Sequence, residues 1–230
     1  MKKLLLLLLC VPLIGFGQSN NNLPIIDLGI HINEWKENEP IPPFDVIPQF
    51  KPIGWNKDGN FAYQITKCDD MCGCCIDYIC IRSIITDEVI DEIHFGEGGY
   101  GRVPYDISFK DSINQVNMLL SKHKIQKTGF GKLIHSDKIN QYDIILKQNN
   151  WGQSRSEYTI LIGNNKTGFK RVSEGVVEWP RTDLNYIGYF KYPFENRILI
   201  LFSSVISGHA ETDWHTLHFV GCSLNPSTFK

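Results

Sequence analysis

Two short stretches hold eight of the chain's fourteen cysteine and histidine side chains. In CDDMCGCCIDYIC, residues 68–80, Cys68, Cys72, Cys74, Cys75 and Cys80 crowd into thirteen positions, with Cys222 far downstream. Thiolates so arranged can bind zinc, exchange disulfides or staple the chain. Zinc sites usually draw two ligands from one C-x2-4-C knuckle and two from a second one downstream. Cys68 and Cys72 meet the first half of that rule, and the second half is missing. Cys72 and Cys75 have the C-x-x-C spacing of a redox pair, but the IDYICI that follows them is strand-like where that chemistry uses a helix.

The second stretch is GHAETDWHTLH, with His209, Glu211, Asp213, His215 and His218 within ten residues. Imidazole and carboxylate ligands suit a divalent metal such as zinc, and an open coordination position would allow hydrolysis. However, WHTLHFVGC reads as a strand. His215 and His218, three apart, then face opposite sides. Only a loop through 209–215 would gather His209, Glu211, Asp213 and His215, and the plainer account is a polar loop leading into the last strand. No G-x-S-x-G elbow, H-E-x-x-H or Walker-type loop occurs. Gly96, Gly98 and Gly101 do spell G-x-G-x-x-G. The helix that would meet a pyrophosphate is expected only about ten residues later, so the run reads as a connection.

The chain's start bears on the thiols. Lys2 and Lys3 precede an apolar run from Leu4 to Ile14, and Gly15 and Gly17 precede Gln18. This is the layout of a signal peptide over 1–17, cleaved near Gly17-Gln18, which implies a periplasmic or extracellular protein. No later run approaches the ~20 apolar residues of a membrane span, so no transmembrane segment is expected in the mature chain. Six of the seven cysteines remain after cleavage, and in an oxidising compartment disulfides among Cys68, Cys72, Cys74, Cys75, Cys80 and Cys222 are the favoured reading. Removing Lys2 and Lys3 leaves 21 basic against 25 acidic side chains. Scattered charges with an acidic balance argue against nucleic acid as a partner.

Around these stretches the pattern is mainly β. Residues 18–52 form an Asn- and Pro-rich extended segment, and 53–230 a single β-rich domain. IGWNKDGNFAYQI reads as a hairpin, with Asp58-Gly59 supplying the positive φ of a tight turn. YICIRSIITDEVIDEI and YTILIGNNKTGFKRVS each read as strand, polar turn, strand, preceded by NFAYQI and QYDIILK. A third unit follows in NYIGYF, RILILFSSVI and WHTLHFVGC. The hairpin GWNKDGNFAY resembles the WSPDGK-x-IAF element of WD40-like (TolB-type) β-propeller repeats, and YTILIGNNKTGFKRVS is similar to the next strand pair of such a blade. Asn56 and Lys57 stand where that family has Ser-Pro. The resemblance implies blade-like sheets, and two units and a fragment are fewer than the ~4 blades a closed propeller needs. One inserted helix is expected near 111–124, where Ile113, Val116, Leu119 and Leu120 recur at helical spacing behind a cap at Asp111 or Ser112.

The expected fold is therefore mainly β, with antiparallel sheets in a sandwich or incomplete propeller-like arrangement and one helix. The absence of catalytic signatures favours a binding or structural module with no cofactor. Its loops and aromatics such as Trp151 and Trp179 would meet a protein or glycan ligand. A metal-dependent hydrolase built on His209, Glu211, Asp213 and His215 is the alternative.

Overall fold

Turn chemistry cuts the chain into antiparallel meanders. The computed structural model describes residues 50–68, 75–95, 105–126, 132–151, 155–178, 182–207 and 213–229. The first sheet runs β1 (Phe50–Trp55), β2 (Asn60–Cys68), β3 (Cys75–Ser83), β4 (Val89–Phe95), each strand beside the next. After helix α1 (Tyr105–Lys122), the second sheet runs β5 (Lys138–Ile139), β6 (Tyr142–Trp151), β7 (Arg155–Asn164), β8 (Gly168–Glu178). The third holds β9 (Thr182–Lys191), β10 (Arg197–Ser207) and β11 (Asp213–Ser223), with β10 in the middle. All neighbouring strands are antiparallel, and among the described residues no sheet closes into a barrel.

The expected hairpin turns form for the expected reasons. Asn56 Oδ1 accepts from the backbone N–H of Asp58 at 2.9 Å and of Asn60 at 2.8 Å, and Gly59 takes φ 82. At the β7–β8 turn, Asn164 Oδ1 accepts from the N–H groups of Lys166 and Thr167, and Gly168 takes φ 79. Both are Asx-type turns closed by a left-handed glycine. β1 begins at Phe50, so residues 50–52 of the extended segment belong to the sheet. Pro52 is tolerated there because β1 is an edge strand and its register shifts between Pro52 and Gly54.

Three apolar layers stack these elements. Phe50, Trp55, Phe61, Tyr63 and Cys80 of the first sheet pack against Phe190, Leu199, Leu201 and Phe219 of the third. The opposite face of the third sheet, with Ile198, Ile200, Phe202, Val220 and Cys222, packs against Ile144, Ile160 and Ile162 of the second. The outer face of the first sheet buries Ala62, Ile79 and Ile81 against Leu119 and Leu120 of α1. The order in space is therefore helix, first sheet, third sheet, second sheet. β10 is the central strand: every side chain from Ile198 to Phe202 is 0 % exposed. Each such burial contributes roughly 1.5–3 kcal/mol, and a continuous apolar run is the pattern of a strand covered on both faces.

The helix starts at Tyr105, six residues before the expected cap, and Asp111 and Ser112 lie within it. Phe109 precedes Ile113, Val116 and Leu120 at helical spacing, and Pro104 punctuates the start. Val116, Leu119 and Leu120 face the first sheet as their spacing predicts. The far end is tied down by Asp91 on β4, whose Oδ2 lies 2.7 Å from Lys122 Nζ and 2.8 Å from His123 Nε2. Those two contacts hold the Asp91 carboxyl below its usual range.

Close approach fixes one glycine in the last strand. A Cβ on Gly221 would overlap the Ile84 carbonyl, which is itself held by Arg197 Nη1 at 3.2 Å. Gly221→Ala is expected to destabilise by about 3 kcal/mol, the upper end for overpacking. At Gly168 a Cβ meets nothing, so Gly168→Ala should cost only the left-handed backbone, about 1 kcal/mol. Denaturant midpoints of the two variants check this ordering.

Candidate functional site

The free edge of β11 is where polar groups from all three sheets converge. A cleft of about 260 Å3 runs along it, lined by Arg82, Asp87, Tyr158, Ser173, Phe202, Leu217, His218, Phe219 and Val220. β11 is an outer strand of the third sheet, and its outward backbone groups need partners. The end of β3 and the β3–β4 connection supply two of them. Arg82 Nη2 donates to the Asp87 carbonyl at 2.5 Å and to the Phe219 carbonyl at 3.4 Å, and its guanidinium lies 5.8 Å from the Phe219 ring centroid. Asp87 Oδ1 accepts from the Gly221 N–H at 2.6 Å. Asp87 sits at φ 60, a left-handed conformation that aspartate tolerates better than most residues. Lys170 of β8 donates to the Ser223 carbonyl at 2.9 Å.

Two features remain after this edge is satisfied. Arg82 Nε is buried and has no hydrogen-bond partner among the described residues. An unpaired buried donor is costly, and more so on a charged group, although the same guanidinium also meets the Tyr63 side chain. The second feature is His218. Its ring stacks on Phe202 at 4.7 Å with 12° between planes, and its Nε2 lies 2.8 Å from Ser204 Oγ. Burial, then the nearby Arg82 charge, push its pKa down to about 4, so the imidazole is neutral at pH 7. Asp87 moves the other way: burial raises its carboxyl above the ordinary value, against the Gly221 hydrogen bond and the Arg82 and Arg197 charges.

A serine hydroxyl bonded to imidazole is the geometry of a nucleophile and its base. Here the hydroxyl belongs to a residue only 1 % exposed and outside the cleft lining. The charge that perturbs His218 is a cation, whereas a catalytic base is oriented by a carboxylate. Among the described residues the cleft offers donors and acceptors for recognition.

Of the residues singled out by sequence, His218 lines this cleft and the others fall elsewhere. His209, Glu211, Cys72, Cys74 and Trp179 lie outside the described residues, as do Gly96, Gly98 and Gly101. His215 belongs to β11, as the strand reading of WHTLHFVGC expected, and Asp213 joins it because pairing with β10 already starts at Asp213. The loop that could gather His209, Glu211, Asp213 and His215 therefore does not extend through 215. That pairing runs to Ser223 without a shift, so Asp213 and His215 share one face with Leu217 and Phe219, and His218 lies on the other. Among the described residues no group of three or more His, Cys, Asp or Glu side chains is placed to hold a metal.

Cys80 and Cys222 face different cores. Cys80 Sγ lies 3.8 Å from Glu92 Oε2. Cys222 is a free thiol whose Sγ approaches the Ser223 carbonyl at 3.4 Å, and burial pushes its pKa up. No disulfide is seen among the cysteines whose side chains are described, Cys80 and Cys222. Arg82, Asp87, Tyr158 and Ser173 were not singled out by sequence. Each is unremarkable where it stands, and Arg82 meets its β11 partner across 137 residues of chain.

The depressed His218 pKa sets a pH dependence. Between about 4 and the ordinary 6.5, the unfolded chain binds a proton that the folded chain does not. The His218 contribution to stability therefore rises with pH across that window and is lost on acidification, by at most about 3 kcal/mol, against an opposite contribution from the raised Asp87 carboxyl. Denaturation midpoints from pH 7 to pH 4 should show this slope, and His218→Leu should flatten it. Comparison of the chain with protein-family models, curated proteins and solved structures finds no match in any of the three.

Proposed function

We propose that this chain is an exported binding module that takes a small hydroxylated carboxylate, such as a sugar acid, in the cleft along β11. The observation that carries the reading is the buried, unpartnered Nε of Arg82 beside a polar cleft. A carboxylate is the acceptor that a guanidinium edge recognises best. Around it, the hydroxyls of Tyr158 and Ser173 and the carboxylate of Asp87 provide the mixed donors and acceptors that sugar-like hydroxyls use. The neutral His218 adds a polar edge without a competing charge. At about 260 Å3 the space is just below that of drug-sized sites, which points to a metabolite. Export rests on the leader-like residues 1–17, and a binding role needs no nucleophile.

The test is a thermal-shift screen of sugar acids, hydroxy acids, amino acids, neutral sugars and zinc. A carboxylate-bearing compound at a hundred times its Kd should raise Tm by about 5–10 °C. Arg82→Met should remove the shift. Ser173→Ala, which touches no edge hydrogen bond described above, should weaken it if Arg82→Met fails to fold. Protection by neutral sugars alone, or protection that survives Arg82→Met in a folded protein, would sink the proposal. Stabilisation by zinc that is lost in His215→Ala would favour the hydrolase alternative instead.

A further inference from the structure

The cysteine cluster is the motif that the cleft leaves unused, and strand register sorts it. β2 and β3 pair without a shift from Asn60 opposite Ser83 to Cys68 opposite Cys75. Cys68 and Cys75 are thus Cα partners at the end of the hairpin, with residues 69–74 between them. Directly opposed residues of an antiparallel pair stand about 4.5 Å or about 5.5 Å apart, depending on the hydrogen-bonding pattern. Both spacings fall within the roughly 4.4–6.8 Å between Cα atoms that a disulfide spans.

Alternation also fixes the face. Tyr63 and Cys80 are Cα partners that look into the core shared with the third sheet. Cys68 and Cys75 stand five residues along from Tyr63 and Cys80 respectively, so both positions belong to the other face, the one α1 covers. Cys80 is on the wrong face to reach either, and Cys222 lies in a different core.

We propose that Cys68 and Cys75 form a cross-strand disulfide closing the β2–β3 hairpin. The chemistry is thiol–disulfide exchange with a low-molecular-weight disulfide such as oxidised glutathione. The Cys68 thiolate attacks it and releases one glutathione thiol. The Cys75 thiolate then attacks the mixed disulfide at Cys68 and releases the second. One S–S bond is made and one broken, and two protons and two electrons pass from the protein to glutathione. Cys72 and Cys74 are the remaining competitors.

Peptide chemistry separates these choices. Residues 68–82 form one tryptic peptide, and cyanogen bromide cuts it after Met71, between Cys68 and the other four cysteines. The chain is oxidised in a glutathione redox buffer, alkylated and digested both ways. The two fragments should stay joined until reduced, and tandem mass spectrometry should place the partner of Cys68 at Cys75. The link should persist in a Cys72→Ser, Cys74→Ser double variant and vanish in Cys75→Ser. Fragments that separate without reductant, or a partner of Cys68 at Cys72 or Cys74 in the unmutated chain, would overturn the assignment.

Discussion

Burial of β10 on both faces is the constraint from which the rest of the structure follows. Ile198, Ile200 and Phe202 fill one core while Leu199 and Leu201 fill another, and none of the five is exposed. A strand in that position cannot lie on the outside of the stack, so the last sheet in sequence becomes the middle layer in space. The first and second sheets, separated by α1, need no extensive contact with each other because each packs on the third. The run ends at Ser203 and Ser204, both still buried. Ser204 recovers a hydrogen bond from His218, whereas Ser203 Oγ has no partner among the described residues. Polar chemistry enters the interior where the apolar run gives out.

A central layer also creates a problem at its edge. β11 is flanked by two neighbouring sheets, yet among the described residues its outward N–H and C=O groups have no strand beside them. They are satisfied instead by Arg82 on Phe219, Asp87 on Gly221 and Lys170 on Ser223. Single side chains cover a backbone edge only in part. The space they leave is the cleft, and the groups lining it are partly those recruited for structure. This dual use explains why Arg82 keeps a donor in reserve: Nη2 is directed at carbonyls, and Nε is not. It also explains the shifts around the cleft. Burial is the first cause for both His218 and Asp87, and in each it favours the neutral form.

What was legible in the sequence was local. The hairpin at Asn56–Gly59, the turn at Asn164–Gly168 and the strand alternation that separates His215 from His218 all follow from neighbours within a few residues. The helix was legible as an element but not at its start. Asp111 and Ser112 are good caps, yet a capping residue inside an apolar spacing that reaches back to Phe109 does not end the helix. Of the cleft only His218 was legible, and not the arrangement around it. The cleft's members come from β3, the β3–β4 connection, β7, β8, β10 and β11, and no periodicity links an arginine to a carbonyl 137 residues away. The residues that looked chemical, at 68–80 and 209–218, drew attention through composition, which carries no information about which face a side chain takes.

The same reasoning bears on the likeness to propeller blades. Its two best segments are β1–β2 and β7–β8, and the matching positions are largely turn positions. Asn56 and Asn164 each accept from two backbone N–H groups, and Gly59 and Gly168 each take a positive φ. Those requirements belong to any tight hairpin, and the shared letters meet them. The same requirements account for Asn56 standing where the family has serine. Its side chain bridges the turn and, through Nδ2, donates to the His123 carbonyl at 2.7 Å, fastening the end of the helix to the first hairpin. A serine hydroxyl in its place would lack both the reach and the second group. The departure from the family pattern is therefore explained by a contact particular to this chain, the helix inserted between its first and second sheets.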